Sequence, residues 1–161
     1  MTDPTKTCMN AAPEPCANGD VTDAAGWFER VRKLVGSGTS VRFAPQGYSM
    51  WPALSPGKDV VTLGEPSALK KGDIVLASCC APELLVLHRV RELTPSGAVL
   101  MGDCNLYQTE LCVYTRVAGK VIAIEPADWR ASLRRSLSAK VQNLPPALRR
   151  FIIRIFNLFR Q

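Results

Sequence analysis

The chain has 161 residues, of which 47% are hydrophobic and 21% are charged, values typical of a globular domain that can bury a core. No run of about 18 apolar residues occurs, which excludes an ordinary transmembrane helix. The first twenty residues lack the basic and apolar segments of a secretory signal. We therefore expect a cytoplasmic protein, able to lie peripherally on the cytoplasmic membrane.

The formal net charge of +6 is concentrated at the C-terminus. Residues 129–161 contain eight Arg and Lys residues and no Asp or Glu, whereas residues 1–128 contain slightly more acidic than basic side chains. Such a basic terminal block predicts an anionic partner, either lipid headgroups or nucleic acid.

The six cysteines form no CxxC motif, and the chain has a single histidine. Few ligands are therefore left for a zinc site. We expect neither a metal nor another cofactor, and we expect the cysteines to be mostly reduced thiols.

The N-terminal part of the sequence predicts a disordered tail and then a helix. Residues 1–19 show no hydrophobic periodicity. Asp20 or Thr22 can cap the helix that follows, and the Gly-Ser-Gly sequence at 36–38 can end it. Its apolar face consists of Ala24, Phe28, Val31 and Val35.

Short β-like runs separated by turn residues predict a mainly β, antiparallel α+β domain, which we place at residues 20–126 together with its leading helix. Pro-Gly, Lys-Gly-Asp and Pro-Ser-Gly sequences separate several of the runs. The predicted strands are 41–43, 59–63, 73–77, 84–93, 98–101 and 117–124.

Residues 127–161 predict a helical, basic C-terminal extension. The first helix is marked by apolar residues at near-helical spacing, namely Trp129, Leu133, Leu137, Val141 and Leu144. In the second, 146–161, an apolar stripe of Leu148, Phe151, Ile152, Ile155, Phe156 and Phe159 lies opposite Arg149, Arg150, Arg154, Asn157 and Arg160.

This last segment is too short to span a bilayer, and two interpretations stay open for it. It can lie on an anionic membrane surface, or it can dock on its own domain. Basic residues that alternate with large aliphatic ones favour lipid over nucleic acid as the partner.

Three short motifs carry groups suited to nucleophilic catalysis. Ser49 lies in the sequence QGYSMWPAL, His88 lies in a predicted strand, and Asp103 follows a strand in the sequence MGDCN. A serine needs a neighbouring base, imidazole suits that task, and a carboxylate behind the imidazole fixes its tautomer. Sequence alone does not place the three side chains within reach, and a lone histidine in a strand is more often a structural residue.

Five motifs in order resemble the signal peptidase I and LexA-like superfamily of serine peptidases. They are G-Y-S-M-W-P-A-L-x-x-G, K-K-G-D-I-V, H-R-V, G-D-C-N and V-x-G-K-V, and they cover about residues 41–124. The base position is Lys in bacterial leader peptidases and LexA-type repressors, and His in archaeal and endoplasmic-reticulum-type signal peptidases. His88 makes this chain similar to the Ser/His branch. The resemblance implies a signal peptidase/LexA-like fold of coiled β-sheets around a cleft.

The resemblance also implies roles for individual residues. Ser49 would be the nucleophile, His88 the general base and later the general acid, and Asp103 the carboxylate that orients His88. The Ser49 backbone N–H would hold the oxyanion. Some relatives add a hydroxyl two residues before the nucleophile, where this chain has Gly47, whose place in the motif suits a tight turn.

Four further residues receive roles from their places in the motifs. Asp73 looks structural, as a brace for a turn, and Gly102 permits tight backbone geometry. Met50 and Trp51, which follow the nucleophile, are candidates for substrate binding. For Trp51 buried packing is the competing interpretation.

The function that these observations predict is a serine endopeptidase that hydrolyses a specific protein or peptide substrate, at the membrane surface if the basic helix binds lipid. One alternative is a non-catalytic binding module that keeps the peptidase fold. Another is a self-cleaving LexA-type regulator, for which Ala25-Gly26 is a candidate cleavage dipeptide within the predicted helix. The transmembrane anchor of the family's signal peptidases has no counterpart in this sequence.

Overall fold

The computed structural model describes residues 23–79, 84–105, 107–141 and 144–158. The tail expected at 1–19 and the expected cap residues Asp20 and Thr22 lie outside this part of the chain. The helices are α1 (Ala24–Gly36), α2 (Trp129–Val141) and α3 (Pro146–Leu158). The strands are β1 (Val41–Phe43), β2 (Val60–Gly64), β3 (Ile74–Ser78), β4 (Leu85–Thr94), β5 (Gly97–Met101), β6 (Glu110–Val113) and β7 (Val117–Glu125).

Helix α1 is capped by Asp23, the residue directly before it, and not by either of the two residues expected from the sequence. The Asp23 carboxylate accepts a hydrogen bond from the Gly26 N–H at 2.6 Å, which satisfies a backbone donor of the first turn. The predicted apolar face is confirmed at Phe28, Val31 and Val35, which are buried, whereas Ala24 at the start of the helix is exposed. The dipeptide Ala25-Gly26 lies in this first turn, as predicted.

The described strands form one antiparallel sheet in the order β1-β2-β7-β3-β4-β5-β6, so the predicted mainly β, α+β class is confirmed. Six strands match predicted runs, and β6 was not predicted. The sheet curls strongly, since the Cys112 thiol on β6 lies 3.7 Å from the carbonyl oxygen of Ser78 at the end of β3. Two strands separate β6 from β3 within the sheet, so only a curled sheet brings them together.

The curl gives the sheet an inner and an outer apolar face. Strand β4 shows the alternation clearly, because Val86, His88 and Val90 are buried on one side. The inner cluster includes Val75, Val90 and Leu100, whereas α1 packs on the outer face against residues such as Leu63 and Leu76. His88 is therefore held among buried neighbours.

Helices α2 and α3 confirm the helical character of the C-terminal extension. Within the described residues, no helix is long and apolar enough to cross a membrane. Both helices contact the domain, through Arg134 and Ser138 of α2 and Arg149 of α3. Among the side chains that the structure describes on them, the buried ones are Ala131, Ser138, Val141, Arg149 and Ile153. The face of α3 that docks carries Arg149 and Ile153, whereas Leu148, Phe151 and Ile155 of the apolar stripe are exposed.

Candidate active site

Ser49 lies in the turn-rich loop between β1 and β2. Gly47, two residues before it, has a φ of +80°, a conformation that side-chain-bearing residues rarely adopt. The turn closes with a hydrogen bond from the Trp51 N–H to the Tyr48 carbonyl at 3.0 Å, and Leu54 N–H bonds to the Met50 carbonyl at the same distance. These bonds hold the backbone around Ser49 in a tight, defined turn at the surface of the domain.

A second loop, which joins β5 to β6, lies directly against the Ser49 backbone. The Cys104 N–H donates a hydrogen bond to the Ser49 carbonyl oxygen at 2.9 Å. A methyl group added to Gly102 would lie only 2.6 Å from that same oxygen. The expectation of tight backbone geometry at Gly102 thus has a concrete cause, since any side chain there would separate the two loops.

His88 points towards this junction from strand β4. Its side chain is 6% exposed, and Nδ1 lies 2.9 Å from Oε2 of Glu110, whose side chain is 7% exposed. On the other side of the ring, Nε2 would lie 3.1 Å from a methyl group added to Gly102. His88 and the Ser49 backbone therefore meet at Gly102.

The Glu110 carboxylate determines which ring nitrogen of His88 is available to accept a proton. An ionised carboxylate can only accept hydrogen bonds, so Nδ1 carries the proton and donates it to Glu110. In the neutral ring Nε2 then has a free lone pair, on the side that faces Gly102. This is the tautomer that a general base needs.

Asp103 has a different partner from the one that the family resemblance implies. Its Oδ1 accepts from Arg89 Nε at 2.8 Å, and its Oδ2 accepts from Arg89 Nη2 at 2.7 Å and from the Ser138 hydroxyl at 3.3 Å. Arg89 and His88 are adjacent in β4, so their side chains leave the strand on opposite faces. The carboxylate at His88 Nδ1 is accordingly that of Glu110, and Asp103 pairs with Arg89.

The Arg89–Asp103 pair is nearly dry, since the two side chains are 12% and 1% exposed. Burial opposes the charge of Arg89, but the hydrogen bonds and the negative charge of Asp103 outweigh it, so the pKa of Arg89 lies above its ordinary value. The Arg89 guanidinium also donates to the carbonyl oxygen of Gly72 at 2.8 Å. The pair therefore joins β4, the β5–β6 loop and the turn before β3.

Glu110 is the residue of the site that sequence reasoning missed. It lies at the start of β6, where the burial pattern is the reverse of the usual one. Leu111 and Val113 are exposed, whereas Glu110 and Cys112 are buried. The only available signal was the short run of β-forming residues around Cys112, and nothing in it marks Glu110 as buried.

Asn105 is a second polar group that the sequence interpretation did not single out. Its Nδ2 would lie 3.2 Å from a methyl group on Gly102, the same reference point that lies 3.1 Å from His88 Nε2. The Asn105 N–H donates to the Gly102 carbonyl at 3.0 Å, which closes the turn that carries the side chain. The Asn105 side-chain amide and His88 Nε2 therefore both lie close to Gly102.

Met50 and Trp51, the candidates for substrate binding, are both buried. Met50 packs in a core cluster with residues that include Leu54 and Val61. The Arg134 guanidinium of α2 lies 4.9 Å from the centre of the Trp51 ring. The structure thus gives both side chains packing contacts, in agreement with the competing interpretation for Trp51.

Asp73 makes the contacts expected of a residue that braces a turn. Its Oδ2 accepts a hydrogen bond from the Lys70 N–H at 3.0 Å and lies 3.7 Å from Lys120 Nζ on β7. Gly72, inside the turn, has a φ of +97°. The turn before β3 is therefore fixed from two sides.

Helix α2 holds the Ser49 loop in place. Arg134 Nη2 donates to the Ser55 hydroxyl at 2.8 Å. The buried Asp59 carboxylate accepts from the Ser55 N–H and from the Ala127 N–H, each at 2.8 Å, and so ties the end of this loop to the segment before α2. The same helix reaches the second loop through the bond from Ser138 to Asp103.

Helix α3 contacts the end of β5, next to the candidate site. Arg149 Nη2 lies 4.0 Å from the sulfur of Met101, the residue just before Gly102. Burial and the positive charge of Arg149 lower the pKa of Arg91 on β4. The two C-terminal helices thus contact both loops that meet at the candidate site.

The fold and the site define an α+β protein in which a buried His–Glu pair faces a serine-bearing loop. Compared with protein-family models, curated proteins and solved structures, the chain gave no match.

Proposed function

We propose that this protein is a serine endopeptidase with a signal peptidase/LexA-like fold, acting on a specific protein or peptide substrate. The observation that carries the proposal is the arrangement of His88. Glu110 holds its Nδ1, and its Nε2 faces Gly102, where the Ser49 backbone also lies. The curled antiparallel sheet and the ordered motifs of the sequence support the same proposal.

In the proposed reaction the Ser49 hydroxyl oxygen attacks the carbonyl carbon of the scissile peptide bond. His88 Nε2 takes the hydroxyl proton as the new C–O bond forms, and the resulting imidazolium is stabilised by Glu110. The imidazolium then gives the proton to the leaving amine as the C–N bond breaks. A water molecule, deprotonated by His88, then attacks the carbonyl carbon of the Ser49 ester. The C–O bond to Ser49 breaks, the acid product leaves, and His88 returns the proton to the Ser49 oxygen.

Two groups would donate hydrogen bonds to the oxyanion of the tetrahedral intermediate. The Ser49 backbone N–H is the first, as the resemblance implies. The side-chain amide of Asn105 is the second, because it and His88 Nε2 both lie close to Gly102. Gly47 offers no side-chain hydroxyl, so Asn105 would supply what some relatives obtain from that position.

The experiment that tests the proposal is mass spectrometry of a diverse peptide mixture, with and without anionic vesicles, after incubation with the protein. We expect cleavages with the wild type that Ser49→Ala and His88→Ala both abolish. Ser96→Ala is the matched control, since Ser96 is exposed in the turn between β4 and β5, and it should cleave like the wild type.

Cleavage that survives in Ser49→Ala or in His88→Ala would refute the mechanism. Absence of cleavage with the wild type on any peptide, with vesicles or without, would favour the binding-module alternative. An intact mass that decreases on incubation in a Ser49-dependent way would instead favour self-cleavage.

A further inference from the structure

Each C-terminal helix carries an exposed row of large apolar side chains. On α2 the row is Trp129, Leu133 and Leu137, at intervals of four residues. On α3 it is Leu148, Phe151 and Ile155. Trp129 is 71% exposed and Phe151 is 63% exposed, so these are among the most exposed large apolar side chains that the structure describes.

Both rows point away from the domain. The residues that α2 buries against the domain, such as Ala131 and Ser138, lie on the side of that helix opposite its row. The same holds for Arg149 and Ile153 on α3. Docking of the helices on their own domain, one of the two sequence interpretations, therefore leaves the apolar rows unpartnered within the described chain.

Positive charge borders both rows. Exposed basic residues flank them, namely Arg130, Lys140 and Arg154, and the segment 129–161 contains no acidic residue. The Arg130 guanidinium lies 5.5 Å from the centre of the Trp129 ring, so charge and apolar surface are directly adjacent.

This combination selects one kind of partner. A second copy of the same face would bring two basic surfaces together, which like-charge repulsion disfavours. A nucleic acid would neutralise the charge but leave the apolar rows in water. An anionic bilayer satisfies both features, because its headgroups attract the cations and its acyl boundary accepts the apolar side chains.

We propose that the outer faces of α2 and α3 together form a docking surface for an anionic membrane. This goes beyond the proposed peptidase activity and does not depend on it. The inner faces of the same helices hold the two loops of the candidate site, so docking would place that site next to the bilayer.

The test is sedimentation of the full chain with vesicles of phosphatidylglycerol and phosphatidylcholine, and with vesicles of phosphatidylcholine alone. We expect binding to the anionic vesicles that weakens as salt is added. Leu133→Ser and Phe151→Ser should each weaken binding about tenfold, because each removes one large apolar side chain from the buried surface. Lys140→Gln combined with Arg154→Gln should weaken it by about the same factor.

Helix α1 supplies matched controls. Leu34 is 46% exposed on α1, comparable with 53% for Leu133, so Leu34→Ser should bind like the wild type. Lys33→Gln, also exposed on α1, controls for the loss of charge. Ser49→Ala should bind unchanged, which separates a failure of membrane docking from a failure of the peptidase proposal.

Several outcomes would overturn the proposal. Wild type that stays in the supernatant with anionic vesicles is one, and an equal loss of binding in Leu34→Ser is another. A third is a wild-type dimer that Phe151→Ser converts into a monomer while vesicle binding is absent. Binding to an oligonucleotide but not to vesicles would assign the surface to nucleic acid instead.

Discussion

Two buried carboxylates hold two different cationic or basic side chains on opposite faces of β4. Glu110 bonds to His88 on the inner face, and Asp103 bonds to Arg89 on the outer face. Because adjacent residues of a strand alternate in direction, one carboxylate cannot serve both partners. Glu110 thus belongs to the proposed chemistry, whereas Asp103 belongs to the framework that supports it.

Replacing Glu110 with glutamine tests the first of these roles. The Glu110→Gln side chain has nearly the same size, but its amide can donate a hydrogen bond as well as accept one. It therefore no longer requires the tautomer of His88 that carries its proton on Nδ1. We expect the cleavage rate to fall by about 10³-fold or more, as loss of the orienting carboxylate does in serine peptidases. Single-turnover rates on a cleaved peptide would measure it. Glu92→Gln, exposed on the same strand, should cleave normally, and a wild-type rate in Glu110→Gln would remove Glu110 from the mechanism.

Replacing Asp103 should affect stability first. Asp103→Ala leaves the Arg89 charge buried without its carboxylate, which costs about 3–5 kcal/mol in comparable buried pairs. Urea denaturation of the wild type and the variant would measure the loss. The double variant with Arg89→Met should recover part of it, since the unpaired charge is then gone. A loss below about 0.5 kcal/mol, the range of ordinary surface substitutions, would contradict the framework role.

The proposed mechanism also has a pH dependence at the residue scale. A protonated imidazole cannot accept the Ser49 proton, so the cleavage rate should decrease once the pH is low enough to protonate His88. Rates measured in buffers of constant ionic strength would show the decrease. A rate that stays constant down to the pH at which the protein unfolds would mean that a group other than His88 acts as the base.

At the scale of whole elements, hydrophobic periodicity predicted the strands with a regular alternation of buried residues and missed the short strand without one. Strands such as β4 were predictable because buried and half-buried residues alternate over its first seven positions. Strand β6 has only four residues, with Leu111 exposed and Glu110 buried, so its pattern does not indicate a strand or a core face.

In the candidate site, likewise, the sequence indicated some residues but not the partners that the tertiary structure gives them. The motifs indicated Ser49, His88 and Gly102, and the backbone of Ser49 and the ring of His88 both lie next to Gly102. The assignment of Asp103 rested on its place in a motif, and its real partner depends on which face of β4 the β5–β6 loop lies against. That is a tertiary property, and the alternation of Arg89 and His88 along β4 does not reveal it.

The connection between the Ser49 loop and α2 leads to a prediction at this scale. The Asp59 side chain accepts backbone hydrogen bonds from Ser55 and Ala127, so Asp59→Ala leaves the buried Ser55 N–H without an acceptor. We expect a loss of about 1–3 kcal/mol of unfolding free energy, together with slower cleavage. Chemical denaturation and peptide assays would measure both. Glu65→Ala, at an exposed position, should change neither, and an unchanged Asp59→Ala variant would show that the loop needs no such tie.

On the scale of the whole molecule, each of the two C-terminal helices contacts the domain with one side and faces solvent with the other. Their inner sides reach Ser55, Asp103 and Met101, which lie in or beside the site loops. Their outer sides present apolar rows to solvent. A helix that is packed on one side only gains less stability from burial than the strands at the centre of the sheet. Helices α2 and α3 should therefore open locally more often than β3 and β4.

Hydrogen exchange would detect this difference and the proposed membrane contact in one experiment. Without lipid, amides of α3 should exchange through local opening, whereas amides of β3 and β4, whose residues include the fully buried Val75 and Val90, should exchange only by global unfolding. Anionic vesicles bind only the helical form of the surface in the proposed complex, so they should slow exchange in α2 and α3 by about tenfold or more when present at ten times their dissociation constant. Exchange in β3 and β4 should change much less. Equal slowing everywhere would indicate general stabilisation, and no slowing in the helices would mean that the membrane does not contact them.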